Sequence, residues 1–305
     1  MKIFVTGGTG VLGVPALRML RERGHEVLAL AHSARTAARL REAGVQVVEG
    51  TLYDRERLMQ AMVGVDAVLH LATRIPAAAA MPDPASWQEN DRIRVEGTRN
   101  LVDAAIANNV EVVVYPGIIF VYRDSGDRWI DAETAEIETS LSVRTALDAE
   151  AEVERFARTG KRGITLRLGL LYGPTSIHTR ETLEAIQHGV YLTPGPDDAY
   201  LSSLWIDDAA SAIVAAMERA ESGIYDVVDD EPMTQRAIRE AVLSIVGKPL
   251  VEQTLAYLLA GAVVRPVTEQ SRRVSNARFK ELVGWQPSVP SPREGWRLLL
   301  EPVSV

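Results

Sequence analysis

The chain has 305 residues, 47% of them apolar, which is enough for a large buried core, and a formal net charge of −8. That charge argues against nucleic acid or an anionic membrane surface as a partner, so neither is expected. The absence of cysteine excludes disulfides, thiolate nucleophiles and cysteine metal sites, and it fits a cytoplasmic protein.

Residues 3–5 read as a short apolar strand, so no signal leader is expected ahead of it, and 15–23 as an amphipathic helix. Between them lie Gly7, Gly10 and Gly13. Such spacing gives a tight turn, a close backbone approach to a pyrophosphate, and a helix packed hard on a strand. The helix start then offers unpaired N–H groups and a positive dipole end to phosphate. Gly7, Thr9, Gly10, Val11, Leu12 and Gly13 are therefore candidate dinucleotide contacts.

Strands and helices alternate from there: strand 26–31, helix 34–43, strand 45–49, helix 58–62, strand 67–71, helix 87–108 and strand 112–115. Helix 147–158 and strand 164–168 follow, then looser chain with turns, helix 207–219 and strand 224–228. Apolar strand runs alternating with helices predict an α/β fold, a parallel sheet covered on both faces. The most apolar later stretch, residues 255–264, is too short to span a bilayer and reads as a packing helix.

Six segments carry a resemblance: TGGTGVLG at 6–13, VDAVLHLA at 65–72, GTRNL at 97–101, LRLGLLYGP at 166–174, LWIDDA at 204–209, and 276–287 ending in GWQP. In this order they resemble the extended short-chain dehydrogenase/reductase family, also called the NAD-dependent epimerase/dehydratase family. The resemblance implies a Rossmann-like doubly wound sheet with a smaller C-terminal substrate-binding domain. It divides the chain into a core of residues 1–173, rejoined by 204–229, and a smaller part of 174–203 and 230–305. It also implies that Leu71, Ala72 and Thr73 border the cofactor, and that helices near 87–108 and 147–158 form a homodimer interface.

The usual catalytic half is missing. That family acts through Tyr-x-x-x-Lys and a Ser or Thr. The four lysines here are Lys2, Lys161, Lys248 and Lys280, and the last three follow Ala157, Ser244 and Asn276 by four. Counting back from Glu152 places Asp148 where the lysine is expected and Arg144 where the tyrosine is expected. A carboxylate would raise a neighbouring phenol's pKa rather than lower it, and arginine does not exchange protons near neutrality. Gly117 and Ile118 stand where hydroxyl residues are expected. Thr51, followed by Leu52, replaces the acid expected near adenine. At the end of the second strand His32, Ser33 and Arg35 stand without an acid to hold a ribose diol, which favours NADP(H) over NAD(H).

Replacement catalytic groups are sought among Tyr122, His178, Arg144 and Asp148. Tyr122 aligns near the substrate, as a proton donor or an aromatic wall, and His178 lies on the variable stretch after Gly173-Pro174, as an acid/base or a surface histidine. Arg144 and Asp148 are a helical turn apart, as a structural pair or a cation facing an acidic ligand. Arg74, just past the fourth strand, faces the nicotinamide side or substrate, or is a loop charge; His70 reads as structural. No metal-binding or serine-elbow motif is present, and no metal is expected. The reading is an atypical NAD(P)-binding reductase of a small organic metabolite. The alternatives are a non-redox cyclase, dehydratase or isomerase, and a non-catalytic NADP(H)-responsive binding protein.

Overall fold

Ile3 and Val5 point to one side of the first strand and Phe4 to the other, and all three are fully buried, so the strand must lie inside a two-faced sheet. A computed structural model describes residues 1–77, 80–138, 143–193, 195–254 and 269–301. In chain order the first half comprises β1 (Lys2–Thr6), α1 (Gly13–Glu22), β2 (Glu26–Ala31), α2 (Ala34–Glu42), β3 (Gln46–Glu49), α3 (Arg55–Ala61) and β4 (Ala67–His70). Next come α4 (Gln88–Arg92), α5 (Thr98–Ala107), β5 (Val112–Ile118), β6 (Trp129–Ile130), α6 (Arg144–Ala157) and β7 (Arg162–Leu168). The remainder holds β8 (Leu170–Tyr172), α7 (Ile177–Gln187), β9 (Val190–Thr193), β10 (Tyr200–Leu201), β11 (Ser203–Trp205) and α8 (Ile206–Arg219). It ends with β12 (Gly223–Val227), β13 (Met233–Thr234), α9 (Gln235–Val246), β14 (Val251–Thr254), β15 (Arg273–Val274) and the helices Ala277–Val283 and Pro292–Leu300.

Seven strands form one sheet in the order β12-β7-β5-β4-β1-β2-β3, and every pairing is parallel. The expected doubly wound sheet is therefore present. One face buries Ile3, Val5, Leu69 and Val114 against Leu17 and Leu20 of α1 and Ile213 of α8. The other buries Phe4, Val68 and Val113 against Leu58, Leu101, Val153 and Phe156. Chain order reverses between β1 and β4, which places the switch-point crevice at their C-terminal ends.

Two elements differ from the sequence reading. The helix expected at 87–108 is a composite, in which α4 and α5 are joined by a π turn over Ile93–Gly97. The strand expected at 112–115 runs on through Pro116 to Ile118. β4 pairs with β5 only as far as Val114, whereas β7 pairs with it through Ile118, so the proline lies where one side of the strand is already open.

Smaller clusters lie apart from the sheet: Ile186, Tyr191 and Val242 pack with Trp296, and Met233 packs with Ile238 and Ala241. The last segment is tied back by Asp208, which accepts hydrogen bonds from Ser288 N (2.8 Å) and Val289 N (2.9 Å). The apolar stretch 255–264 lies outside the described residues. Among the described residues no helix is long and apolar enough to cross a membrane.

Candidate nucleotide cleft and active site

The glycine loop is packed so closely that side chains are excluded. Gly7 has φ +71°, and a Cβ there would lie 2.5 Å from the Leu71 carbonyl and 2.6 Å from Ala72 N. A Cβ on Gly13 would lie 2.2 Å from Gly7 O. Gly10 N donates to Gly7 O at 2.9 Å and closes the turn. Leu12, the N-cap of α1, gives no side-chain cap, and the first turn has no acid; Val14 N is taken by Gly10 O and Pro15 has no N–H, so the Val11, Leu12 and Gly13 N–H groups are the ones left for an anion. Gly10 and Val11 are exposed and Thr9 half-buried beside them. This cradle fits a dinucleotide pyrophosphate.

A hydrogen-bond chain ties the loop to the helix above it. Ala72 N donates to Thr6 Oγ1 (3.3 Å), which contacts His70 Nδ1 (2.7 Å); His70 Nε2 contacts Thr98 Oγ1 (3.1 Å), which donates to Ile93 O (3.4 Å). His70 is fully buried and burial lowers its pKa to about 4, so the ring is neutral near pH 7 and serves as a spacer. Asn100 donates to Leu52 O at 3.0 Å, fixing the loop that carries Thr51 and Leu52. Thr51 is exposed, and Leu52 is buried against Gly97. Leu71 is buried, Ala72 half-buried and Thr73 exposed at the crevice. At the end of β2, Ser33 caps α2 by accepting from Thr36 N (3.2 Å), while exposed His32 and Arg35 have no side-chain partner among the described residues.

The floor beyond β5 is closed by a buried ionic network. Gly117, Arg167 and Asp226 align across β5, β7 and β12. Arg167 donates to Glu150 Oε1 (3.1 Å) and Oε2 (2.7 Å), with both side chains 6% exposed. A Cβ on Gly117 would lie 2.7 Å from Glu150 Oε1, so the carboxylate fills the space beside the missing side chain. Tyr122 is fully buried, donates to Asp226 Oδ1 at 2.6 Å and lies under the Arg167 guanidinium. Burial and the Asp226 charge push the Tyr122 phenol well above its usual range, and burial pushes Asp226 up to about 7.

Val143, Ala146 and Leu147 pack in the same cluster as Tyr122, and among the described residues no hydrogen bond or ion pair joins Tyr122 to Arg144, Asp148 or His178. Arg144 and Asp148 are exposed on α6 and do not pair with each other. His178 sits in the first turn of α7, half-exposed, 3.4 Å from Glu181. The count that produced Arg144 and Asp148 began at Glu152, but Glu152 faces outward to Arg155 (2.7 Å) and Arg99 (3.4 Å). Glu150 is the acid facing the sheet, and a count from it would instead give Ala146 and Ser142; neither count puts a lysine at the lysine position. The sequence held a signal for this: Ala146, Ala149, Val153 and Phe156 mark one helical face, and Glu150 lies within it. Reading the residues singly also missed Asn90, which is fully buried above β4 and accepts from Arg74 N at 3.1 Å.

The family model for the NAD dependent epimerase/dehydratase family matches residues 3–228. A Streptomyces protein named 3-diazoavenalumate denitrifying reductase is 32% identical over 97% of this chain and 99% of its own length. A 2-alkyl-3-oxoalkanoate reductase of Shewanella oneidensis is 27% identical over 92% of this chain and 75% of its own. Among solved structures, a human epimerase family protein with NADPH matches with a TM-score of 0.80 at 18% identity, covering 99% of this chain and 100% of that one. The UDP-glucose 4-epimerase of Thermus thermophilus with NAD matches at 0.77 and 21% identity, covering 98% of both chains. The glycine cradle, the parallel sheet and these likenesses agree: the chain belongs to the NAD dependent epimerase/dehydratase family.

Proposed function

We propose that the chain is a nicotinamide-dependent reductase of small, electron-poor organic substrates, with arene diazo compounds the first class to test. The observation that carries this is the floor of the cleft. Gly117 and Ala146 replace the hydroxyl and ammonium groups of the usual triad, and Glu150 paired with Arg167 fills the space at Gly117. A nicotinamide, when bound, supplies hydride from C4. An arenediazonium that accepts hydride becomes the arene and N2, so no alkoxide forms and no phenol has to protonate one. The full-length likeness to a denitrifying reductase supports the same class. A ketone of the 3-oxoalkanoate kind is the second reading, favoured by the other relative; its alkoxide would be protonated by water, because Tyr122 is committed to Asp226.

The chain's own work is then binding and orientation. Gly7, Thr9, Gly10, Val11, Leu12 and Gly13 hold the pyrophosphate, Thr51 and Leu52 the adenine, and Leu71, Ala72 and Thr73 the nicotinamide side. Tyr122 supports the floor, while Arg144, Asp148 and His178 take no part in the chemistry. NADP(H) is preferred to NAD(H), because exposed His32 and Arg35 stand uncommitted where an acid would be needed to hold a ribose diol. The described residues of 174–203 and 230–301 belong to the smaller part that borders the cleft, and the cysteine-free composition supports a cytoplasmic site.

The test is titration with NADPH and NADH, followed by turnover of an arenediazonium with NADPH deuterated at one C4 face. Tight NADPH binding and deuterium at the former diazo carbon from one face only are expected. Failure to bind either nucleotide would sink the proposal.

A further inference from the structure

We propose that Arg74 and Asn90 form a carboxylate-binding subsite that selects acidic substrates, an inference that rests on the reductase reading above. Arg74 lies four residues past the end of β4, at the β1/β4 switch point where ligands enter a doubly wound sheet. Its backbone N–H is held by Asn90 Oδ1 at 3.1 Å, which fixes where the side chain starts. Its guanidinium is exposed and makes no hydrogen bond or ion pair with any described residue. Arg92, nearby in the chain, is by contrast held by Glu96 at 2.8 Å and stacks on Tyr53.

Asn90 supplies a second and independent observation. It is fully buried, and its Nδ2 has no partner. Because Oδ1 already accepts from Arg74 N, the amide cannot be reversed, and Nδ2 is left as a donor beside the same loop. A buried donor without an acceptor is uncommon and calls for a ligand oxygen. A planar guanidinium carried on the loop that this carboxamide anchors can present two N–H donors to the two oxygens of a carboxylate, with Asn90 Nδ2 as a further donor at the base of the loop. Ile75, 44% exposed, adds an apolar contact next to the charge. The class that fits is an organic acid with an apolar or aryl body, and both relatives described above are named for carboxylates.

The experiment compares each acid with its methyl ester. Rates with NADPH are taken for a diazonium-bearing cinnamate and its ester, and binding to NADP+-loaded protein for cinnamate and methyl cinnamate. Wild type should favour the acid about 10- to 100-fold in kcat/KM and in binding. Arg74→Gln should bring the ratio near one through KM with kcat retained, Arg74→Lys should recover part of it, and NADPH affinity should not move. Equal treatment of acid and ester by wild type, no measurable binding of either, or an unchanged ratio in Arg74→Gln would overturn the subsite. A parallel loss of NADPH affinity would also overturn it and assign Arg74 to a cofactor phosphate. Failure of the reductase reading is distinct: no probe is turned over, while the binding ratio still reports on Arg74.

Discussion

Gly117 sits where a hydroxyl residue was expected, and its environment makes the substitution hard to reverse. Gly117→Ser would drive Cβ into the buried Glu150 carboxylate and disturb its pair with Arg167. We expect a loss of about 2–4 kcal/mol in stability, read as a lower urea midpoint, and no gain of alcohol oxidation with NADP+. Asp226 carries a pH prediction. Its folded pKa is raised to about 7 from 3.8, so the folded state binds the extra proton between those values. Stability from this group therefore falls as pH rises from about 4 to 7, by at most ~1.4 kcal/mol per pH unit, and levels off above. His70, lowered to about 4, works in the opposite sense: its contribution is full above about 6.5 and is lost as pH falls toward 4. The two oppose each other in wild type, so the measurement is the urea midpoint of Asp226→Asn against wild type from about pH 5 to 8. The variant should gain on wild type up to pH 7 and hold a constant difference beyond it.

On α6, the residues 150, 152 and 154 are all glutamates; Glu152 lies about 200° around the axis from Glu150, and Glu154 only about 40° from it, one turn on. Glu150 is buried with Ala146, Ala149 and Val153 and meets Arg167, Glu152 is held by Arg99 and Arg155, and Glu154 is exposed and pairs with Arg158. Arg144 and Asp148 are exposed. Replacing both by alanine should change stability by less than about 0.5 kcal/mol and leave kcat/KM within twofold. A tenfold fall in kcat/KM would return them to the active site. The π turn at Ile93–Gly97 is the other element with a specific task, since Ile93 O ends the chain running from Ala72 through His70 and Thr98. Such turns often sit at functional sites, and here one joins the helix over the cleft to the cofactor loop.

The homodimer expected by analogy would use α5 and α6. Their outer side carries a line of ion pairs, Arg55–Asp103–Arg155–Glu152–Arg99, and none of the exposed large apolar residues. A dimer through this face would be held by charge, and charge between exposed groups is screened within about 10 Å at 0.1 M salt. Sedimentation in about 0.05 M and 0.5 M NaCl should therefore show dissociation at the higher salt. A dimer equally tight in both would place the interface elsewhere.

Local pattern was enough for the fold. The glycine spacing, the alternation of strands and helices and the ordered family segments each depend on neighbours within a few turns, and the seven-stranded parallel sheet follows from them. His70 was legible as structural for the same reason, since it lies inside a strand segment. The candidate active site was not legible in this way. Tyr122 meets Asp226 across 104 residues, and Arg74 is held by a side chain from the next helix. Sequence alone showed that the tyrosine–lysine pair was absent and that a nucleotide cradle remained. Only the tertiary structure decided what fills the vacated positions. Burial of Glu150, Arg167, Tyr122 and Asp226 obliges those charges and dipoles to satisfy one another, and that obligation depends on strands brought side by side rather than on order along the chain.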